Sequence, residues 1–234
     1  ERNAQDEIYG QGYWEQEIRA GTDEAPLCYR FPLTPPPCAN RVMAYGINEP
    51  LKVRMITRGH PYCYSLKPLQ KNLLRCLKKY PCFKPCFTSF YDPNDNIEWS
   101  MMENVKKLDS HMRFMTVDYS AATDNIHLDI FQVGAHSLAE AFEHAGRHEI
   151  ARAMRWQAGN HMIDYPEWTE LDSALQTNGQ LMGSLLSFPF LCMVNAWCLC
   201  KVKESSLKDL KGLIHGDDLA TCIEERLIKP FFKV

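Results

Sequence analysis

The stretch KGLIHGDDLAT, residues 211–221, places two adjacent aspartates between two apolar runs. An apolar run, a Gly-Asp pair and a second apolar run are typical of a β-hairpin with a two-residue turn. The sequence therefore predicts a hairpin that holds Asp217 and Asp218 at the end of two buried strands. Because neighbouring carboxylates repel each other, their pairing here favours a function, with an ordinary surface turn as the alternative.

A divalent cation would neutralise these carboxylates, because Mg²⁺ prefers hard oxygen ligands together with water and substrate phosphates. A further carboxylate should then come from a neighbouring strand end. RFMTVD, residues 113–118, predicts a short apolar strand that leads into Asp118. Two metal ions about 3.5–4 Å apart can contact both the attacking and the leaving oxygen of a phosphoryl transfer. Asp118, Asp217 and Asp218 are therefore the candidate metal ligands.

Length and composition indicate a folded, intracellular protein. The chain has 234 residues, of which 45% are hydrophobic and 24% charged, enough to bury a substantial core. Its ten cysteines form no repeated CxxC pair of the zinc-site type, which favours buried, reduced thiols. The apolar segment 185–200 is shorter than the roughly 20 residues of a bilayer span and contains Pro189 and Asn195, so we expect a buried helix. Because the chain begins at Glu1 and stops at Val234 after an apolar segment, we expect a fragment of a longer protein.

Charge is distributed unevenly along the chain. Residues 51–84 contain nine Lys or Arg and no Asp or Glu, whereas the first 24 residues contain seven acids and two bases. This asymmetry predicts an anionic partner for residues 51–84, with a solvated basic face as the alternative. Within NEPLKVRMITRG, residues 48–59, Lys52 and Arg54 alternate with apolar residues, which predicts a strand with one cationic face.

Helical patterns follow the predicted strand. Lys67 and Pro68 open a helix with one apolar face, and Pro81 ends it. The opposite face carries a basic stripe of Lys71, Arg75 and Lys78. Asp124 stands where a helix N-cap would, ahead of the apolar pattern Ile126, Ile130 and Val133, and more helix is expected over 137–157. A glycine-containing loop at 177–184 opens the apolar helix, and residues 26–38 predict an extended, proline-rich connector.

Four segments, in this order along the chain, resemble motifs of the viral RNA-dependent RNA polymerases. EPLKVRMITRG (49–59) resembles the cationic fingers motif F, and DYSAATD (118–124) resembles palm motif A. NGQLMGSLLSFPFLCMVN (178–195) resembles motif B, and HGDD (215–218) resembles motif C. The sequences of these motifs are most similar to those of the ourmia-like polymerases of the botourmiavirus family, and the similarity to narnaviruses and RNA phages is more distant. The resemblance covers about residues 45–225.

The resemblance implies roles for particular residues. Asp118 and Asp217 would bind two catalytic Mg²⁺ ions, which Mn²⁺ is able to replace, and Asp218 would assist beside them. Asp124 would sense the ribose 2′-hydroxyl, and the nucleotide site would also include Lys52, Arg54, Arg58, Ser187 and Asn195. Template and nascent RNA would contact Gly183, Ser184, Lys71, Arg75 and Lys78. Other interpretations stay open: Asp124 as a helix cap only, Asn195 as a satisfied buried amide, and Lys52 with Arg54 as an exposed strand face.

The implied fold is α+β, the palm and part of the fingers of a right-hand polymerase, with an antiparallel palm sheet and no thumb in this chain. Its expected segments are an N-terminal extension with the connector (1–44), a fingers segment (45–112) and the palm (113–234). The implied reaction is RNA-templated RNA synthesis from NTPs in the replication of a positive-strand RNA virus, in the host cytoplasm. The alternatives are a reverse transcriptase, which Asp124 disfavours, and a non-catalytic polymerase remnant that at most binds RNA.

Overall fold

A computed structural model of the chain describes residues 40–50, 52–60, 63, 66–87 and 110–234. These residues divide into two compact units. The first unit holds the described residues up to Lys71 together with Thr123–Ser187, and the second holds those of Asn72–Ala122 together with Phe188–Val234. The predicted connector at 26–38 lies outside the described residues, and the predicted division into segments 1–44, 45–112 and 113–234 stays a prediction.

The described strands and helices have the following bounds. The strands are β1 (Arg41–Glu49), β2 (Lys52–Arg58), β3 (Met112–Val117), β4 (Met162–Asp164), β5 (Ala174–Leu175), β6 (Leu213–His215) and β7 (Asp218–Glu224). The α-helices are α1 (Lys67–Leu77), α2 (Ala122–Asn125), α3 (Leu128–His144), α4 (His148–Gln157), α5 (Ser187–Lys203) and α6 (Glu225–Phe231). Two 3₁₀ helices cover Pro81–Cys86 and Glu167–Thr169.

The first unit is built on a four-stranded sheet with the strand order β2-β1-β4-β5. β1 and β2 form an antiparallel hairpin, and β1 also pairs with β4 in parallel. The guanidinium of Arg41 donates from Nε to Oδ2 of Asp164 at 2.9 Å, which joins the side chains of these two strands. Beside the sheet, α3 packs against α4. Alanines such as Ala135 and Ala151 are fully buried, and their small side chains allow the two helices to approach closely.

The second unit is built on a three-stranded antiparallel sheet with the strand order β3-β7-β6. β7 alternates along its length, so that Leu219, Thr221 and Ile223 are buried while Asp218 is exposed. The core of this unit also includes Cys192 and other side chains of α5, together with Phe83. None of the described helices combines the length and the apolar character needed to cross a membrane.

Several local predictions are confirmed. His215 pairs with Asp218, which leaves Gly216 and Asp217 as the two-residue turn of the β6-β7 hairpin. The strand before Asp118 is β3, and the helix predicted from Lys67 begins there. Helix α5 confirms the helix expected in the apolar segment 185–200, although it begins at Ser187 and ends at Lys203, and Pro189 lies in its first turn, where proline is tolerated.

Other local predictions are wrong or only partly right. The predicted strand with a cationic face is β2, on which Arg54 and Arg58 are exposed, but its apolar residues Val53 and Met55 are also 63% and 50% exposed. Asp124 lies inside the short helix α2, and the N-cap position of α3 is occupied by His127, whose side chain makes no capping hydrogen bond. The helix expected over 137–157 is confirmed for most of that range, but it is divided between α3 and α4, with Gly146 at φ +72° in the break. Helix α1 ends at Leu77, before Pro81.

The buried face of α3 also differs from the prediction. Ile130 and Val133 are 43% and 66% exposed. The residues of α3 that are buried are Leu128, Phe131, Ala135 and Ala139.

Candidate active site

Three aspartates lie at one edge of the sheet in the second unit, and we call them the carboxylate edge: Asp118, Asp217 and Asp218. Val117 of β3 pairs with Leu219 of β7, so the next position along each strand places Asp118 and Asp218 opposite each other. Asp217 is the second residue of the turn that precedes β7. The hairpin and the β3-β7 register together bring the three predicted ligands to the same place.

Electrostatic repulsion is present at this edge. Partial burial of the carboxyl group raises the pKa of Asp218 above its ordinary value, and the negative charges of Asp217 and Asp118 raise it further. His215 acts in the opposite direction. A raised carboxyl pKa means that the folded protein holds the three negative charges at a cost, which a bound cation would remove.

Hydrogen bonds connect the turn that carries Asp217 to side chains of α5. Asn195 is buried, and its Nδ2 donates hydrogen bonds to the carbonyl oxygens of Gly216, at 3.2 Å, and of Asp217, at 3.1 Å. The amide of Gly216 donates to Sγ of Cys192 at 3.3 Å. Gly216 has φ +64°, a left-handed conformation that favours glycine. Two side chains that lie on one helix face, three residues apart, therefore fix the turn.

The donor set suits a divalent ion in kind, because carboxylate oxygens are the ligands that Mg²⁺ prefers. The register places Asp118 and Asp218 opposite each other, and the charges of Asp217 and Asp118 add to the effect of burial in raising the pKa of Asp218. Among the described residues, however, no group of three or more His, Cys, Asp or Glu side chains is drawn together tightly enough to hold a metal ion. The carboxylate edge thus fits a metal by chemistry and placement, and binding would require its side chains to close around the ion.

Sequence patterns did not identify Lys203, at the end of α5, as a residue of interest. Its Nζ donates to the carbonyl oxygens of Lys211 and Cys222, at 2.8 and 2.7 Å, and to the hydroxyl of Thr221 at 2.8 Å. Burial lowers the pKa of this amine. Lys203 ties the helix to β7, the strand that begins at the carboxylate edge. A lysine in the last turn of a helix is common, so no sequence signal singles it out.

Two thiols lie beneath the same hairpin. Sγ of Cys86 and Sγ of Cys192 are 3.8 Å apart, and the Cys86 thiol donates to the carbonyl oxygen of Ile214 at 3.2 Å. The hydrogen bond from Cys192 lowers the pKa of Cys86 and raises that of Cys192. The pair packs the 3₁₀ helix that contains Cys86 against α5 and β6.

The predicted phosphate-binding residues lie in the first unit, on β2. Lys52 begins this strand, and the side chains of Arg54 and Arg58 are exposed. Because residues 54 and 58 are an even number of positions apart, both arginines lie on one face of the hairpin. Ile47 lies directly opposite Arg54 and Met43 directly opposite Arg58 on β1, so this face mixes cationic and apolar side chains.

The loop before α5 contacts β2 closely. The amide and the hydroxyl of Thr57 both donate to the carbonyl oxygen of Met182, at 2.8 and 2.7 Å. Gly183 has φ +113°, and a Cβ atom there would lie 2.1 Å from the carbonyl oxygen of Thr57. The resemblance implies that Gly183 contacts RNA, and in the structure the close neighbour of Gly183 is the backbone of β2. A cavity of about 170 Å³ adjoins this loop, and its lining includes Tyr45, Arg58, His161, Gly183 and Ser184.

The remaining candidates are placed as follows. Ser187 is buried at the start of α5, and its amide donates to the carbonyl oxygen of Ser184 at 3.1 Å. Asp124 is exposed on α2. The basic stripe on and just after α1 is exposed at Lys71, Arg75 and Lys78. Asp118, Asp217 and Asp218 come together in the second unit, with Asn195 beneath them, whereas Lys52, Arg54, Arg58, Asp124, Gly183, Ser184 and Ser187 belong to the first unit.

Viral polymerases are similar to this chain in sequence and in structure. No family model matches the chain. It is similar in sequence to the RNA-dependent RNA polymerase of Ourmia melon virus (isolate Melon/Iran/VE9), with 29% identity over 217 residues that cover 84% of this chain and 24% of the relative. Its structure matches the Sicinivirus 3Dpol RNA-dependent RNA polymerase with a TM-score of 0.55 and 15% identity, over 82% of this chain and 43% of the other. The fold is that of a right-hand polymerase.

Both comparisons confirm sequence-based predictions. The relative from Ourmia melon virus confirms the resemblance to viral RNA-dependent RNA polymerases of the ourmia-like group. The structural match confirms the α+β right-hand fold with antiparallel strands, as part of a palm and fingers. The chain spans about a quarter of the length of its sequence relative and less than half of its structural relative.

Proposed function

We propose that this chain is the fingers and palm portion of a polymerase that synthesises RNA on an RNA template, and that the carboxylate edge is its catalytic centre. The observation that carries the proposal is the convergence of Asp118, Asp217 and Asp218 at one sheet edge. The similarity to two viral RNA-dependent RNA polymerases supports it. The reaction joins an NTP to the 3′-hydroxyl of a growing RNA with release of pyrophosphate.

Asp118 and Asp217 are the residues that would hold two Mg²⁺ ions, or Mn²⁺ in their place, with Asp218 beside them. Bound divalent ions supply electrostatic stabilisation of the attacking and leaving oxygens in phosphoryl transfer. The task of the protein is to hold the carboxylates rigidly. The pairing of β3 with β7 up to Val117, the residue before Asp118, and the hydrogen bond from Asn195 to the carbonyl oxygen of Asp217 support this.

The exposed arginines of β2 support a role in phosphate binding. Arg54 and Arg58, with Lys52 at the start of the strand, would contact the triphosphate, since guanidinium groups suit bidentate contact with phosphate oxygens. Asp124, Ser187 and Asn195 would complete the nucleotide site, and Asp124 would accept a hydrogen bond from the ribose 2′-hydroxyl. A substrate without that hydroxyl would lose the contact, which favours RNA synthesis over DNA synthesis.

Template and nascent RNA would run along Gly183 and Ser184 and along the basic stripe of Lys71, Arg75 and Lys78. The exposure of this stripe supports contact with phosphates, which is sequence-independent and dependent on salt. We place the activity in the replication of a positive-strand RNA virus in the host cytoplasm, because the resemblance is to polymerases of such viruses.

The test uses the full-length natural protein in an RNA-templated incorporation assay with each NTP and the corresponding dNTP. Asp217→Asn and Asp118→Asn remove ligand charge while keeping side-chain size, and each should lower kcat about 100-fold or more. Asp209→Asn is the matched control: Asp209 is an exposed aspartate of the second unit that accepts a hydrogen bond from Ser206, and its variant should keep wild-type activity. Mn²⁺ binding followed by electron paramagnetic resonance should weaken in the first two variants only.

Wild-type incorporation by Asp217→Asn or Asp118→Asn would contradict the role of the carboxylate edge. Preferential use of dNTPs would favour a reverse transcriptase. Metal-independent RNA binding without any incorporation would favour the non-catalytic remnant.

A further inference from the structure

Each of the three residues Asn178, Gly179 and Gln180 donates a hydrogen bond to helix α2 or to Ile126, the residue that follows it. The amide of Gln180 donates to the carbonyl oxygen of Thr123 at 2.7 Å, and that of Gly179 donates to the carbonyl oxygen of Ile126 at 2.9 Å. Nδ2 of Asn178 donates to the carbonyl oxygen of Asp124 itself at 3.2 Å. We call this segment the α2 brace.

Helix α2 depends on such support because it has four residues, a single turn. A turn of this length cannot form the run of internal hydrogen bonds that stabilises a helix, and its carbonyl groups need partners elsewhere. The brace supplies partners to the carbonyls of Thr123 and Asp124. The position of the Asp124 backbone is therefore set by the brace as much as by the helix.

Only glycine fits at the centre of the brace. Gly179 has φ +70°, and a Cβ atom there would lie 2.6 Å from the carbonyl oxygen of Thr123, 2.9 Å from that of Asp124 and 3.0 Å from Cα of Asp124. All three neighbours are backbone atoms, so no side-chain rotation could relieve the contact. Any larger residue at 179 must displace the turn that carries Asp124.

The brace is itself anchored in the first unit by Gln176, which is buried and directly follows β5. Nε2 of the Gln176 side chain donates to the carbonyl oxygen of Gly179 at 3.0 Å. The backbone N–H of Gln176 donates to the carbonyl oxygen of His161 at 2.8 Å. Nδ2 of Asn160 donates to the carbonyl oxygen of Gln176 at 2.9 Å. The brace thus connects α2 to the residues around the β4-β5 pair.

We infer that the α2 brace is a positioning device for sugar recognition: Gly179 and Asn178 hold the Asp124 carboxylate where it distinguishes a ribonucleotide from a deoxyribonucleotide. This inference rests on the proposed function, since it assigns Gly179 and Asn178 to the support of the proposed 2′-hydroxyl contact. Neither residue contacts substrate. Each acts through the backbone of the turn that carries Asp124.

Gly179→Ala is the principal variant and Gly146→Ala its matched control. Gly146 has φ +72°, nearly that of Gly179, yet nothing lies within 4 Å of the Cβ position there. Both substitutions place alanine at nearly the same positive φ, but only the one at 179 meets backbone atoms of α2. In the full-length natural protein, Gly179→Ala should lower the ratio of kcat/KM for an NTP to kcat/KM for the matching dNTP by about tenfold or more, because displacements near 1 Å cost large factors in positioned reactions.

The two substrates separate positioning from a general loss of structure. The dNTP has no 2′-hydroxyl for Asp124 to contact, so its kcat/KM should change little, whereas that of the NTP should fall. A merely structural defect would lower both values equally. Asn178→Ala removes a single hydrogen bond from an exposed residue and should lower the ratio by about two- to tenfold, which provides a test if Gly179→Ala does not fold.

Hydrogen exchange supplies a readout without catalysis. The amides of Gly179 and Gln180 should be protected in the wild type and in Gly146→Ala, and should exchange faster in Gly179→Ala. Rapid exchange at both amides in the wild type would overturn the inference, as would an unchanged discrimination ratio in Gly179→Ala. No incorporation by the wild-type protein would overturn the proposed function and the role in sugar selection together, whereas incorporation with unchanged discrimination overturns the inference alone.

Discussion

The buried amide of Asn195 should stabilise the hairpin that carries Asp217. Asn195→Ala removes both hydrogen bonds from Nδ2 and leaves the carbonyl oxygens of Gly216 and Asp217 without this partner. A neutral hydrogen bond contributes about 0.5–1.5 kcal/mol net, so two should contribute about 1–3 kcal/mol to the free energy of unfolding. Urea denaturation of the wild type and the variant, with equal slopes, measures this difference.

Asn195→Asp tests the direction of the same hydrogen bonds. A carboxylate has the size of the amide but would point an acceptor at two carbonyl oxygens, so the folded variant should retain the proton and show a carboxyl pKa above the ordinary value of about 3.9. Between the ordinary pKa and this higher folded-state pKa, the folded state binds more protons than the unfolded state. The free energy of unfolding of the variant must therefore decrease as pH rises through that range. The wild type lacks this contribution.

The control is Ser206→Ala in the same unit, where an exposed hydroxyl donates to Oδ2 of Asp209 at 2.6 Å. This variant should lie within about 0.5 kcal/mol of the wild type. If Asn195→Ala also lies within that limit, or if the relative stability of Asn195→Asp does not vary with pH, the amide does not support the turn and the hairpin holds its shape alone.

Three further predictions concern other parts of the structure. Gly183→Ala should lower the free energy of unfolding, measured by urea denaturation, by about 2–6 kcal/mol, because it adds backbone strain at φ +113° and breaks the two hydrogen bonds from Thr57 to Met182. The control Gly146→Ala should lower it by only about 1–2 kcal/mol. Equal losses in the two variants would refute the close approach at Gly183. Hydrogen bonds from Arg41 and, to a smaller extent, from Ser173 lower the pKa of Asp164 in the folded state. The ionised carboxylate therefore contributes fully to the free energy of unfolding above the ordinary pKa of 3.8, and this contribution is lost as pH falls through the lower folded-state pKa. Asp164→Asn should remove this part of the acid dependence of the urea midpoint, and an unchanged pH profile would exclude the linkage. Iodoacetamide should modify Cys86 faster than Cys63 or Cys82, as followed by mass spectrometry. The reason is that Cys192 lowers the pKa of Cys86, whereas burial raises the pKa values of Cys63 and Cys82 to about 12. The reverse order of modification would contradict the pairing of Cys86 with Cys192.

Local chemistry explains which elements were predictable from sequence. The β6-β7 hairpin follows from two apolar runs and a Gly-Asp turn, and β3 follows from a short apolar run before Asp118. Both features depend on residues that are neighbours along the chain. Their pairing then brings Asp118 to the hairpin, because one register of β3 against β7 buries Met115 and Val117.

Long-range contacts explain what sequence patterns missed. The buried face of α3 includes Ala135 and Ala139, whose small side chains give little hydropathy signal, while the more apolar Ile130 and Val133 face outward. In the same way, period-two alternation in β2 identifies a strand but does not say what covers it. The partners of Asn195 and Gly179 lie 21 and more than 50 residues away, beyond the reach of any local rule.

The β3-β7 register also determines which single-residue deletions in β3 the fold tolerates. Deleting one residue between Met112 and Val117 would shift the pleat by one position, turn Met115 and Val117 toward water and move Asp118 away from Asp218. Such a deletion cannot alter the spacing of the carboxylates while sparing the core. Selection for folding alone would therefore act against such a deletion, and it would preserve the distance from the start of β3 to Asp118 without any selection for activity.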